Sequence, residues 1–389
     1  MQELLLLLLP LAAASGWLAA LRSARKEKGH CVGETGPTYF RGLNHLLNEE
    51  SDKAIDAFVE MLEVDSDTVE THLALGNLFR RRGEVERAIR IHQNLVARPA
   101  LTREQRAQAL LELGQDYMRA GLFDRAENLF RELKETNLHV RPALKNLLVI
   151  YEKERDWQAC LEVADQLESL PGEKMPLEKS HYHCELAIVA RQQGRSTEAA
   201  AQLKKALATF PGCVRASHLQ AQFAASQGDY RGAIKILRQT VDQDADYLPE
   251  VLPEIVANYR HLGELKELRG FLGEVVASRS GTGAEIAMAD LIREQEGEAA
   301  AAAYLADRLG RGPSLALLLR SIELNARMPD GESARFLESL RPHIRGLLDQ
   351  KPAYLCGRCG FVAKTLHWQC PSCRRWSTVK RRAGCEADL

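Results

Sequence analysis

Aromatic side chains make up only 6% of this 389-residue chain, long β-branched runs are missing, and acidic and basic residues nearly cancel, 53 against 52. Each shortage excludes something. Without β-branched and aromatic runs an extended sheet has little to build from. Leu, Ala, Glu and Arg dominate instead, which is the composition of a helix-rich protein. Without a net charge the chain as a whole selects no class of partner, and only local charge can be informative. The signatures of nucleotide and hydrolytic chemistry are missing too: there is no P-loop, no G-x-S-x-G, no H-E-x-x-H and no nucleophile paired with a base. A non-enzymatic protein is the expectation. What is present is 45% hydrophobic residues, enough to bury a sizeable core and to exclude a disordered chain.

The uncharged stretch from Leu4 to Leu21 would span roughly 27 Å as a helix, just enough to cross a bilayer core. Small residues in "AAASG" suit a signal-peptide cleavage site. The flanks favour a retained anchor: Glu3 precedes the run, whereas Arg22, Arg25, Lys26 and Lys28 follow it. The positive-inside bias then puts the N-terminus outside and everything after Leu21 in the cytoplasm. In that compartment disulfides are disfavoured, so closely paired thiols among the nine cysteines become metal candidates.

A repeat runs through the middle of the chain. "ALGNLFRRRGEVERAIRIHQNLV" and "ELGQDYMRAGLFDRAENLFRELK" align Leu75, Gly76, Phe79, Gly83, Ala88 and His92 with Leu113, Gly114, Tyr117, Gly121, Ala126 and Phe130. Residues at the expected turns are Glu49, Gly83, Gly121, Arg155, Gly194, Gly228, Gly263, Gly297 and Gly331, spaced 34 to 39 apart. The longer steps hold Pro99 and the pair Pro171 and Pro176, and Thr102 with Gln105 forms a capping box that reopens a helix. This pattern resembles the tetratricopeptide repeat. It predicts an all-α superhelical solenoid over 38–350, with degenerate later units, presenting a groove to proteins. The anchor occupies 1–21 and a linker 22–37.

Residues 351–389 form a second domain. Cys356 and Cys359 are separated by two residues, as are Cys370 and Cys373, and the doubled spacing lets four thiolates close a tetrahedral shell around one metal ion, iron or zinc. "CGRCG…CPSC" resembles a rubredoxin-type knuckle or short zinc ribbon, although Arg374 stands where rubredoxins usually carry Gly. Four sulfurs leave no open position for water, so a structural role is favoured over hydrolysis. From Lys351 to Cys385 there are eight basic residues and no acidic one, with Trp368 and Trp376 among them. Three readings compete with a merely solvated face: a nucleic-acid ribbon, a contact with anionic lipid, and a contact with an acidic protein surface. "HYHCE" at 181–185 is no second metal site, because positions i and i+2 point apart on a helix. Cys160, Cys184 and Cys213 fall on helical stripes as core residues, and Cys31 and Cys385 are expected as exposed thiols.

Anchor, repeats and knuckle in this order, with "HLALGNLFRRRGEVERAIRIHQ" and "HWQCPSCRRWST", resemble the lipopolysaccharide assembly protein B (LapB) family over essentially the whole chain. The resemblance implies an inner-membrane adaptor that restrains lipopolysaccharide synthesis. In that family it works with the membrane protease FtsH to promote degradation of the deacetylase LpxC, and a membrane regulator counters it. The metal ligands carry over onto Cys356, Cys359, Cys370 and Cys373. The alternatives are a rubredoxin-like electron carrier and a nucleic-acid-binding ribbon on a repeat scaffold, both ranked below the adaptor.

Overall fold

The computed structural model describes residues 69–278, 281–312, 314–326 and 331–381, with isolated positions between 41 and 57. The expected anchor, the linker, Cys31 and Cys385 lie outside these residues. Among the described residues no helix is long and apolar enough to cross a membrane. The chain divides into two compact units between Ile150 and Tyr151.

The first unit contains α1 (Val69–Arg82), α2 (Val85–Val96), α3 (Arg103–Ala120), α4 (Phe123–Glu135) and most of α5 (Val140–Glu154). Its helices pair because a small residue on one receives a bulky residue from the next. A Cβ added at Gly76 would lie 2.4 Å from His92 Nε2, and one added at Gly114 would lie 2.6 Å from the Phe130 ring. His92 and Phe130 are wholly buried. The equivalence read in the two repeat copies is therefore a lock-and-socket contact used twice. His92 differs from Phe130 in being polar, and Asp116 accommodates that by meeting its Nδ1 at 2.5 Å. Arg80 bridges the same carboxylate at 2.8 Å and Glu112 at 2.6 Å, so the buried acids are paired. Thr102 and Gln105 do form a reciprocal capping box at the start of α3.

The second unit continues with α6 (Trp157–Glu168), α7 (Pro176–Gln192), α8 (Ser196–Thr209), α9 (Val214–Ser226), α10 (Tyr230–Gln243), a 3-10 turn (Ala245–Tyr247), α11 (Leu248–Leu262) and α12 (Leu265–Ser278). The Ala-rich later units keep the same hairpins: α13 (Thr282–Glu296), α14 (Glu298–Arg311), α15 (Leu315–Asn325) and α16 (Gly331–Gln350). Gly194, Gly228, Gly263 and Gly297 take positive φ as the turn spacing requires, as do Gly83 and Gly121 in the first unit. Arg155 does so without being glycine, at φ 60°. Gly331 differs from the expectation: it is the first residue of α16 rather than a turn residue. The core is apolar and continuous from Ala221 to Leu324. Cys160 and Cys184 are buried within helix packing, as the stripes indicated; Cys213 is buried too, but as the extended residue that precedes α9 rather than on a helical stripe.

Replacing Gly114 by Ala should push Phe130 out of its socket and cost about 1–3 kcal/mol. A lowered urea midpoint, followed by far-ultraviolet circular dichroism, would register that loss. The same change at the open Gly270, where nothing lies within 4 Å of an added Cβ, should leave the midpoint unlowered.

Candidate metal centre

Three short strands follow the last helix: β1 (Tyr354–Cys356), β2 (Val362–Ala363) and β3 (Val379–Arg381). They form an antiparallel sheet in the order β2-β1-β3. The two thiol turns are built alike. The Cys356 amide donates to Phe361 O at 2.8 Å and Gly360 N donates back to Cys356 O at 3.0 Å. The second turn repeats this five- and four-residue closure, from Cys370 N to Arg375 O at 2.9 Å and from Arg374 N to Cys370 O at 2.9 Å. Gly360 and Arg374 thus occupy equivalent places, and both are left-handed, at φ 75° and 60°. Arginine at the glycine position of a thiol turn stores backbone strain on the order of 1 kcal/mol.

The turns bring the four sulfurs of Cys356, Cys359, Cys370 and Cys373 within 4.8 Å of one another. Cys356 and Cys373 are 3.7 Å apart, as are Cys359 and Cys370. A tetrahedron with metal–sulfur bonds of about 2.3 Å has edges of about 3.8 Å, so the set fits one ion. Amides and hydroxyls are aimed at the sulfurs. Burial pushes the Cys356 thiol up, but the Thr378 hydroxyl and the amides of Cys359 and Arg358 outweigh it and lower the thiol to about 6. The Phe361 amide lowers Cys359 as well. Burial dominates at Cys370 and raises it to about 11. Such an array stabilises thiolates at one end and benefits from a cation at the other.

Both tryptophans of this knuckle, and part of its basic charge, turn out to be committed to the chain's own helices, while Arg358, Lys364 and Arg375 stay exposed. Trp376 is buried and stacks on His181 of α7 with ring centroids 4.6 Å apart. It also meets Trp157 and Tyr182 edge-on at 6.3 and 6.0 Å. Trp368 stacks on Tyr247 at 5.0 Å. His181 Nε2 lies 2.7 Å from Ser377 Oγ. Glu152 at the end of α5 is the polar centre of the seat. It accepts from Tyr182 Oη at 2.7 Å, Gln369 Nε2 at 3.0 Å and Trp376 Nε1 at 3.2 Å, with the Arg374 guanidinium 3.8 Å away. Farther along, Lys380 pairs with Asp244 and Asp246 at 2.7 and 2.8 Å, and Tyr354 donates to Glu250 at 2.7 Å. The seat therefore draws on α5, α7 and α11, each the first helix of its pair, on Trp157 at the start of α6, and on the 3-10 turn.

His181 was singled out in the sequence only to be dismissed as a metal ligand. That dismissal holds, since His181 faces Trp376 and its neighbour-but-one His183 bonds Gln202 at 2.8 Å. Its role as the floor of a docking seat was missed. So were Glu152, Tyr182 and Tyr247. Both tryptophans are engaged with aromatic side chains of the chain's own helices and 3-10 turn.

Glu152→Ala should strand three donors and weaken knuckle docking by about 3 kcal/mol. Faster protease cleavage near residue 351 and red-shifted tryptophan emission would report the release. Acid should act at the same seat through His181. Burial, reinforced by the Arg215 charge, depresses this imidazole from 6.5 to about 3, so the docked state keeps it neutral while the released state takes up a proton. Docking should weaken as pH falls through that window, and His181→Gln should flatten this part of the emission-versus-pH curve.

The sequence comparisons agree with this anatomy. Residues 354–381 match the family described as rubredoxin metal binding domain, and residues 71–107 and 184–247 match tetratricopeptide repeat families. Lipopolysaccharide assembly protein B of Escherichia coli K12 is 40% identical over 382 residues, covering 98% of each chain. The Haemophilus influenzae protein of the same name is 37% identical over 394 residues, again with 98% of each covered. With a solenoid of helix pairs, a thiol knuckle seated on it and this likeness from end to end, the chain belongs to the lipopolysaccharide assembly protein B family.

Proposed function

We propose that this protein is a non-enzymatic, membrane-anchored adaptor in lipopolysaccharide assembly. It promotes FtsH-dependent proteolysis of LpxC and answers to a membrane regulator of the pathway. Cys356, Cys359, Cys370 and Cys373 hold one structural ion, zinc or iron, as thiolates. The observation that carries the reading is the seating of the knuckle across the first helices of several pairs. An ion at that place fixes a protein surface; its closed sulfur shell leaves no position for a substrate. When bound, it would supply cross-linking energy to a segment whose own buried cluster is small, Tyr354, Cys356, Cys370 and Val379. Family membership and the lipopolysaccharide assembly role in the relatives' name support the biological setting.

An anchor at 1–21 would confine the helix pairs to the membrane where FtsH works. Tethering raises the effective concentration of a bound client at the protease without new chemistry. Rubredoxin-like electron transfer is less well supported, because Arg374 replaces the glycine of the second thiol turn and its side chain is turned toward Glu152.

Cys356→Ser combined with Cys359→Ser should abolish stoichiometric metal by elemental mass spectrometry and lengthen LpxC half-life several-fold in cells. Unchanged metal content together with unchanged LpxC turnover would sink the proposal. The visible absorption of the purified chain separates the ions, since ferric tetrathiolate is coloured and zinc is not.

A further inference from the structure

A cleft of about 510 Å³ opens beside the seat, along the seam between the knuckle and helices α5, α6, α7 and α9. Its size lies within the range of ligand sites, yet its walls are polar and charged rather than apolar. Four cationic side chains line it against two carboxylates, Glu152 and Glu185. Both carboxylates are already occupied: Glu152 by its three donors, and Glu185 by Arg215 Nη2 at 2.8 Å. The cations are not all satisfied in return. Arg215 is only 8% exposed, and its Nη1 has no hydrogen-bond acceptor among the described residues. Arg374 Nε, on the opposite wall, likewise has none. The Arg215 guanidinium also lies 6.0 Å from the Trp368 ring and 5.7 Å from the Trp376 ring, so the same two indoles that seat the knuckle hold this cation in place.

Leaving two guanidinium N–H groups buried without acceptors costs free energy unless something supplies an oxygen. The geometry points to an acidic peptide segment of a partner protein, its carboxylate bound between Arg215 and Arg374 in the cleft where knuckle and repeats meet. Guanidinium groups match carboxylates in planar, charge-assisted hydrogen bonds. With four cations against two carboxylates the cleft carries only a modest net positive charge, which matches one or two peptide carboxylates better than a more highly charged polyphosphate. The site exists only when the knuckle is seated, because Arg374, Trp368 and Trp376 come from one side and Arg215 from the other. The choice of a protein as ligand rests on the adaptor reading above; the anion-binding chemistry does not.

The test uses the full chain in detergent and a short fluorescein-labelled peptide with a Glu-Leu-Glu core, read by fluorescence anisotropy. The matched Gln-Leu-Gln peptide and inorganic pyrophosphate serve as competitors. Saturable binding of the Glu peptide is expected, not displaced by the Gln peptide. Arg374→Gln should weaken it about 10-fold, the loss of one charge-assisted hydrogen bond. Arg155→Gln, at the exposed mouth, should weaken it less and through added salt sensitivity. Retained metal and unshifted tryptophan emission in each variant show that the knuckle is still seated. If the Gln peptide binds equally, if Arg374→Gln leaves the affinity unchanged, or if pyrophosphate binds while the Glu peptide does not, the assignment is overturned. These measurements are made on purified protein without LpxC or FtsH, so a failed adaptor reading would leave a positive result standing, and a negative one would leave LpxC turnover unexplained but intact.

Discussion

The interaction on which the far end of this molecule depends is the burial of one carboxylate, Glu152, beneath one indole, Trp376. Glu152 receives a tyrosine hydroxyl from α7, and an indole N–H and a carboxamide from the knuckle. A buried acid of this kind is costly alone and stable only with its full set of donors. It therefore couples two parts of the chain that have no covalent reason to be adjacent. Trp376 contributes the apolar half of the same contact, stacked on His181 and ringed by Trp157 and Tyr182. Directional hydrogen bonds set the register of the knuckle; the aromatic surface removed from water supplies most of the attraction.

The thiol turns matter to this contact through sequence distance. Trp368 precedes the second cysteine pair and Trp376 follows it, so both indoles project from the loop that an ion would cinch. Four sulfurs held on tetrahedral edges fix the turns, the turns fix the loop, and the loop delivers two aromatic side chains to the helices. Arg374 sits inside this chain of constraints. Its left-handed backbone is inherited from the geometry that Gly360 satisfies without strain in the first turn. In exchange, a guanidinium stands at the seam facing Glu152. A glycine there would relax the turn and remove the side chain from the seam.

Most of the architecture was legible in the sequence, for local reasons. Helix-pair turns were visible because left-handed residues recur as glycine at near-constant spacing, and the sockets at Gly76 and Gly114 because an absent side chain must face a bulky one. The thiol pairs were visible because ligand spacing is itself local. Arg155 and Gly331 mark where the code loosens: one turn is made without glycine, and one predicted turn residue became a helix start. The docking seat was not legible. His181 and Ser377 are 196 positions apart, and Glu152 and Trp376 are 224 apart. Each had a sufficient explanation nearby, the histidine in a rejected metal motif and the tryptophan in a basic tail. No periodicity links residues whose only relation is three-dimensional.

The seat also changes what the repeats can offer a partner. Stacked helical repeats usually offer a guest an extended surface built from several of their helices. Here the knuckle already covers Glu152, His181, Tyr182 and Tyr247 on those helices or beside them. A guest that bound this stretch directly would have to displace a contact combining a buried carboxylate, a stacked histidine and two tryptophans. A guest that used the rim would not, and the seam carries Arg215 and Arg374, each with one nitrogen that has no acceptor among the described residues. On the proposed reading, recognition therefore falls on a narrow seam made by the knuckle and the helices together. Such a seam ties partner binding to the integrity of the knuckle, and through it to the four sulfurs.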